Sequence, residues 1–313
     1  MRPPARLAPV VAVALVAALL AACGGPSDQA APAATATPAT TTTTTTVAPG
    51  SVQDVPDGTY PYQVALLERD HWYCGGSLIG SRHVLTAAHC LWQRRNGRFE
   101  PVTGIRVVVG RTVLHSSQGQ RRSPVEWRTH ADYHGSAGGP YDVGVIKLDR
   151  PVVGIEPVEL VAAGDTSLTP AGGPATFTGW GDARSLPAGQ DDGNRPGDRM
   201  KAAHVTLVSG QSCQRAYAGA ERPVPGPALV LCTDTGAGVG SCRGDGGGPL
   251  AVDSTGGPVQ VGVVTEGLGC GDRRYPSVFT RLATPRSTRS CGPCWLGAAE
   301  PQRGRDHAAS GPA

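Results

Sequence analysis

Between Gln63 and Arg281 the chain breaks into nine short runs of β-branched or alternating apolar residues, each bounded by turn-forming residues. They are Gln63 to Leu67, Ser77 to Thr86, Ile105 to Val109, Val143 to Leu148, Ala175 to Thr178, Ala203 to Val208, Leu229 to Cys232, Val259 to Val264 and Ser277 to Arg281. Runs of this length at this spacing predict an all-β barrel or sandwich. Helical periodicity is nearly absent. The 44 glycines and 28 prolines supply the turns that such a fold needs, and with 39% hydrophobic residues a chain of 313 can still bury a full core.

The two ends read differently. Arg2 and Arg6 precede an apolar run from Leu7 to Ala22 that is too short and too small in side chain for a membrane span, so residues 1–22 are expected to be an export signal. Leu20-Ala21-Ala22-Cys23 resembles the lipobox of bacterial lipoproteins. That resemblance implies a diacylated Cys23 at the mature amino terminus and a cell-surface protein; the alternative is ordinary cleavage and secretion. Residues 23–51 are rich in Ala, Pro and Thr, with seven threonines from Thr40 to Thr46, and are expected to be an extended linker. At about 3.1 Å per residue it would reach roughly 80 Å. Residues 285–313 carry no apolar stripe and are expected to be disordered. Cys291-Gly292-Pro293-Cys294 is no thioredoxin site, because no βαβ unit precedes it. A local disulfide or free thiols is the expectation there.

Nine cysteines in an exported chain imply an oxidising compartment and bridges rather than thiol chemistry. The net charge of +3 is spread thinly, without a dense basic block, so nucleic acid is not an expected partner. Nor does any cluster point to a metal or a cofactor.

Chemistry is concentrated in three segments. Trp72-Tyr73-Cys74-Gly75-Gly76-Ser77-Leu78-Ile79 leads into Val84-Leu85-Thr86-Ala87-Ala88-His89-Cys90; Tyr141-Asp142-Val143-Gly144-Val145-Ile146 puts an acid at the mouth of an apolar strand; and Cys242-Arg243-Gly244-Asp245-Gly246-Gly247-Gly248-Pro249 forms a glycine-rich loop. With Gly179-Trp180-Gly181 and Pro61-Tyr62-Gln63-Val64, these resemble the chymotrypsin/trypsin family of serine endopeptidases over about Val52 to Leu282. The resemblance implies two antiparallel six-stranded β-barrels within a domain at 52–284. It implies bridges Cys74–Cys90, Cys213–Cys232 and Cys242–Cys270, and a His89–Asp142 pair in which the acid fixes the imidazole tautomer. The family's closing C-terminal helix is not supplied by the residues from Thr284 onward.

The departures bear on function. Gly246 stands where the family has its nucleophilic serine, so acyl transfer through a side-chain oxygen is lost, although the backbone N–H groups of Gly244 and Gly246 can still form an oxyanion hole. No Lys or Arg lies between Arg6 and Arg69, and the nearest candidate for a matured apolar terminus is Val47. Asp245 is then expected to lack an ammonium partner, and its loop to be flexible and poorly formed. The specificity pocket implied by the resemblance comprises Gly240, Thr265, Glu266, Gly267 and Ser277, uncharged at depth with an acid at its lip. The expected function is therefore a catalytically inactive homologue that binds peptide or protein in its cleft. An active serine endopeptidase is the first alternative and a decaying gene product the second.

Overall fold

Each of the nine runs becomes strand, and turn residues set the limits, in a computed structural model that describes residues 47–284 except 96–97, 136–137, 182–185, 191–196 and 266. The order is β1 (Ser51–Asp54), β2 (Gln63–Glu68), β3 (His71–Gly80), β4 (His83–Thr86), a single 3₁₀ turn (Ala88–Cys90), β5 (Trp92–Arg95), β6 (Arg98–Pro101), β7 (Ile105–Val109), β8 (Gln120–Arg122), β9 (Pro124–Thr129) and β10 (Gly144–Leu148). There follow β11 (Glu159–Leu160), β12 (Pro174–Gly179), β13 (Lys201–Val208), α1 (Gly210–Ala216), β14 (Val230–Thr233), β15 (Pro249–Ser254), β16 (Gly257–Val264) and β17 (Ser277–Arg281). The run from Ser77 to Thr86 is two strands, since the chain turns at Ser81-Arg82 and β3 pairs antiparallel with β4. The cysteine-bearing α1 lies outside the alternating pattern; Ser209 caps it, its Oγ accepting from the Ser212 N–H at 3.1 Å.

Two sheets carry the fold. In the C-terminal one β13, β12, β15, β16, β17 and β14 pair in turn and β14 returns to β13, which closes a six-stranded barrel. Phe177, Val205, Leu250, Val261 and Phe279 fill it, with the two phenylalanine rings 5.8 Å apart. The N-terminal sheet runs β8-β7-β2-β3-β4-β10-β9 and is a half-barrel of seven strands. Its edges, β8 and β9, hold Arg121, Arg122, Glu126 and Arg128, charges that discourage further pairing.

The halves share a seam. Val263 of β16 belongs to the core of the N-terminal sheet. Buried polar groups answer one another across it: the Ser77 hydroxyl donates to Gln260 Oε1 at 2.6 Å, and the Thr178 hydroxyl donates to Gln63 Oε1 at 2.6 Å. Along this seam the three chemistry-bearing segments meet.

Candidate active site

His89 is placed by local covalent and hydrogen-bonded constraints. It sits in the 3₁₀ turn that follows β4, and the Cys74–Cys90 disulfide ties that turn back to β3. The Tyr73 hydroxyl donates to the Cys90 carbonyl at 2.9 Å and holds the same turn from the other side. Asp142 is aimed by an unusual backbone. Tyr141 has φ +60°, a left-handed conformation costly for a residue with a β-carbon, and its ring stacks on His130 with centroids 4.5 Å apart.

The two side chains meet at 2.7 Å, His89 Nδ1 against Asp142 Oδ2, while the His89 backbone N–H donates to Oδ1 at 2.9 Å. The Thr265 hydroxyl donates to Oδ2 at 2.8 Å and accepts from the Gly138 N–H at 3.0 Å. Asp142 is fully buried. Burial would raise its pKa, but the charge and hydrogen bonds of His89, with the Thr265 hydroxyl, outweigh it and hold the carboxyl below the ordinary carboxylate value. An ionised acid at this place keeps the imidazole's Nδ1 protonated and turns Nε2 toward the glycine-rich loop.

Facing Nε2 is Gly246. A β-carbon at this position would lie 2.6 Å from Nε2 and 3.9 Å from Cys74 Sγ, so the imidazole fills the space a side chain would take. The loop around it is well tied, contrary to the poorly formed loop expected from the sequence. The Gly75 N–H donates to Gly246 O, Gly247 N–H to Val264 O and Gly248 N–H to Asp245 O, each at 2.8 Å. Gly247, at φ +85°, lies so close to Thr86 Oγ1 that a β-carbon would overlap it. The N–H groups of Gly244 and Gly246 donate to no described residue.

Asp245 explains how the loop stays formed. Its carboxylate accepts from the Gly181 N–H at 2.8 Å and the Cys242 N–H at 3.0 Å, with Trp180's backbone adding a third donor. Among the described residues no cation pairs with it. Burial dominates and pushes its pKa up to about 6, against the pull of those three donors.

The remaining expected residues are distributed as follows. Gly240 lies at a backbone-walled floor, where a β-carbon would come 2.7 Å from Ser277 Oγ and 2.8 Å from Gly271 Cα. Ser277 Oγ accepts from the Ser241 N–H at 2.9 Å. The neighbouring acid, Asp272, is spent on Arg274 at 2.7 Å, whose hydrogen bonds hold its carboxyl far below the ordinary range. Thr265, expected in the pocket wall, directs its hydroxyl to Asp142, and Gly267 lies beside the Tyr217 hydroxyl. Glu266, Cys23, Cys291 and Cys294 lie outside the described residues. The three implied disulfides are all present. Among the described residues the one metal-ligand-like group is Cys74, His89 and Cys90, whose sulfurs are bonded to each other and so cannot both bind an ion.

The trypsin family model matches residues 50–287. The chain belongs to the trypsin family. Within that family it is 33% identical over 224 residues to a trypsin of Saccharopolyspora erythraea, which covers 71% of this chain and 88% of the relative. It is 31% identical over 241 residues to a chymotrypsin of Phaedon cochleariae, covering 74% and 77%. Glucanase inhibitor protein 2 of Phytophthora sojae is 29% identical over 236 residues, covering 74% of each chain.

Sequence reasoning missed two contributors to this trypsin-family site. Thr265 gave no sign of bridging Asp142 and Gly138, because the three come together only through the fold. The stacking of Tyr141 on His130 was equally hidden, because it depends on where the fold brings the two rings.

Proposed function

We propose that this trypsin-family protein is a non-catalytic member that binds peptide or protein in the cleft beside His89, and that it is exported and held at the cell surface by lipid on Cys23. The observation that carries this reading is Gly246. It offers no oxygen to the His89–Asp142 pair, and the imidazole already occupies the space a hydroxyl would need. In subtilisin, loss of the serine alone lowers kcat by about 2 × 10⁶. Two N–H donors that no described residue uses, at Gly244 and Gly246, support a binding role. One relative is named for inhibition rather than hydrolysis, which supports a binding role on this scaffold.

A second reading, a working endopeptidase, draws on the assembled His89–Asp142 pair and would use a water activated by His89. Purified protein assayed against a broad peptide library, with and without Gly246→Ser, separates the two. The binding reading expects no turnover and no phosphonate labelling of the natural chain; turnover that His89→Ala abolishes would sink it. Mass analysis of the mature amino terminus tests the anchor, with a diacylated Cys23 expected.

A further inference from the structure

The fold gathers arginines that the sequence scatters. Arg69 lies in the turn from β2 to β3, Arg106 on β7, Arg121 on β8 and Arg150 just past β10. The chain after β10 runs alongside β8: the Asp149 N–H donates to Ser123 O at 2.9 Å, the Arg150 guanidinium to Arg121 O at 3.1 Å and the Val153 N–H to Gln120 Oε1 at 3.2 Å. Arg106 and Arg121 approach the same oxygen of Asp70, at 3.6 and 3.5 Å, and these three side chains are 59%, 58% and 67% exposed. Contacts so long and so open to solvent are weak. Arg69 is exposed and makes no ion pair among the described residues. Its turn is strained: Glu68 and His71 pair directly, which leaves Arg69 and Asp70 at φ +50° and +65°, where such hairpins usually place Asn-Gly. Apolar groups border the arginines. Arg121, Ser123 and Val125 face outward in alternation along β8 and β9, and Val125 and Val153 are 58% and 73% exposed. The acid beside Val125, Glu126, is spent on Arg128 at 2.7 Å.

We propose that this strip is a docking surface for an acidic segment of a partner protein, whose carboxylates engage Arg69, Arg106 and Arg121 in place of Asp70 while an apolar side chain rests on Val125 and Val153. Asp70 shows the chemistry in miniature: one carboxylate shared loosely by two guanidiniums, with positive charge left over. A guanidinium can take a carboxylate through two parallel N–H groups, a tighter contact than either arginine now makes. The valines decide the class of partner. A polyphosphate or an anionic lipid surface would use the arginines alone, whereas protein interfaces combine arginine with apolar contacts. The strained turn serves the same end, since it fixes where Arg69 and Asp70 stand before a partner arrives. The strip is distinct from the cleft: from Asp70 to Cys74, whose bridge holds the His89 turn, β3 runs four residues, about 13 Å at strand rise. The inference goes beyond the reading of the cleft and holds whether the cleft binds or cleaves.

Fluorescence anisotropy on the full chain tests it, with a labelled peptide of four glutamates around one leucine and a second peptide that carries glutamines instead. The glutamate peptide is expected to bind, about tenfold more tightly than the glutamine one, and to weaken as salt is raised. Arg106→Gln combined with Arg121→Gln is expected to lower its affinity about tenfold. Arg215→Gln combined with Arg273→Gln removes the same charge from exposed positions in the C-terminal half and is expected to leave affinity unchanged. Val153→Ser should cost about threefold, and His89→Ala nothing. No binding of the glutamate peptide, equal binding of the two peptides, or equal loss in the two double variants overturns the proposal. So does a loss on His89→Ala, which would put the peptide in the cleft, or an unchanged affinity on Val153→Ser, which would mark a general polyanion site. Capture of polyphosphate or phosphatidylglycerol vesicles by a chain that ignores the glutamate peptide overturns it as well.

Discussion

At the scale of single residues, Gly246 and Asp142 make the sharpest statements. Gly246 has no left-handed φ, so serine suits its backbone, and its β-carbon would lie 2.6 Å from His89 Nε2, which has to give way. Gly246→Ser is therefore expected to fold with a loss of about 1–3 kcal/mol from overpacking, measured by urea titration, and to gain labelling by a phosphonate probe. Asp142 acts in the opposite sense to Asp245. Its folded pKa is depressed, so its contribution is present above the unfolded value of 3.8 and is lost as pH falls through the lower folded value. Asp142→Asn should remove that acid-side dependence, read as a flatter Tm between pH 4 and pH 2.

At the scale of elements, the β3–β4 hairpin and its 3₁₀ turn work as one unit through the Cys74–Cys90 bridge, a closure of 16 residues. Replacing both cysteines by alanine is expected to cost about 3 kcal/mol, and guanidinium titration of the variant checks it. The same unit illustrates what could be read beforehand. Turn residues and β-branched runs located the strands, because both act locally on φ and ψ. They did not reveal that the run through Ser81 folds back on itself, nor β15, whose pairing to β12 and β16 is a contact across sequence. The formed loop at Gly244 to Gly248 was misjudged for a related reason. The missing terminal cation suggested disorder, while the donors that satisfy Asp245 are backbone N–H groups of Gly181 and Cys242, invisible to a reading by residue type.

At the scale of the molecule, the two sheets depend on each other through Val263 and the Ser77–Gln260 and Gln63–Thr178 pairs. Both are expected to unfold in one transition. Gln260→Leu should destabilise by about 1–3 kcal/mol, because it strands the buried Ser77 hydroxyl without its acceptor. Two separate transitions followed by near-ultraviolet circular dichroism and by tryptophan fluorescence would contradict this coupling, and failure to unfold cooperatively would favour a decaying product over a binding protein.

Residue type and spacing alone determined the all-β class and the lack of a hydroxyl at Gly246; the membership suggested by His89, Asp142 and the glycine-rich loop, and with it the pairing of six cysteines, followed from the resemblance those segments carry. These are properties of residue type and order. Only the tertiary structure decided where the imidazole comes to rest, that the Thr265 hydroxyl reaches Asp142, and that Asp245 is held by backbone donors. Those outcomes depend on distances between segments far apart in sequence, which hydrogen bonding and burial set once the two sheets close on their shared seam.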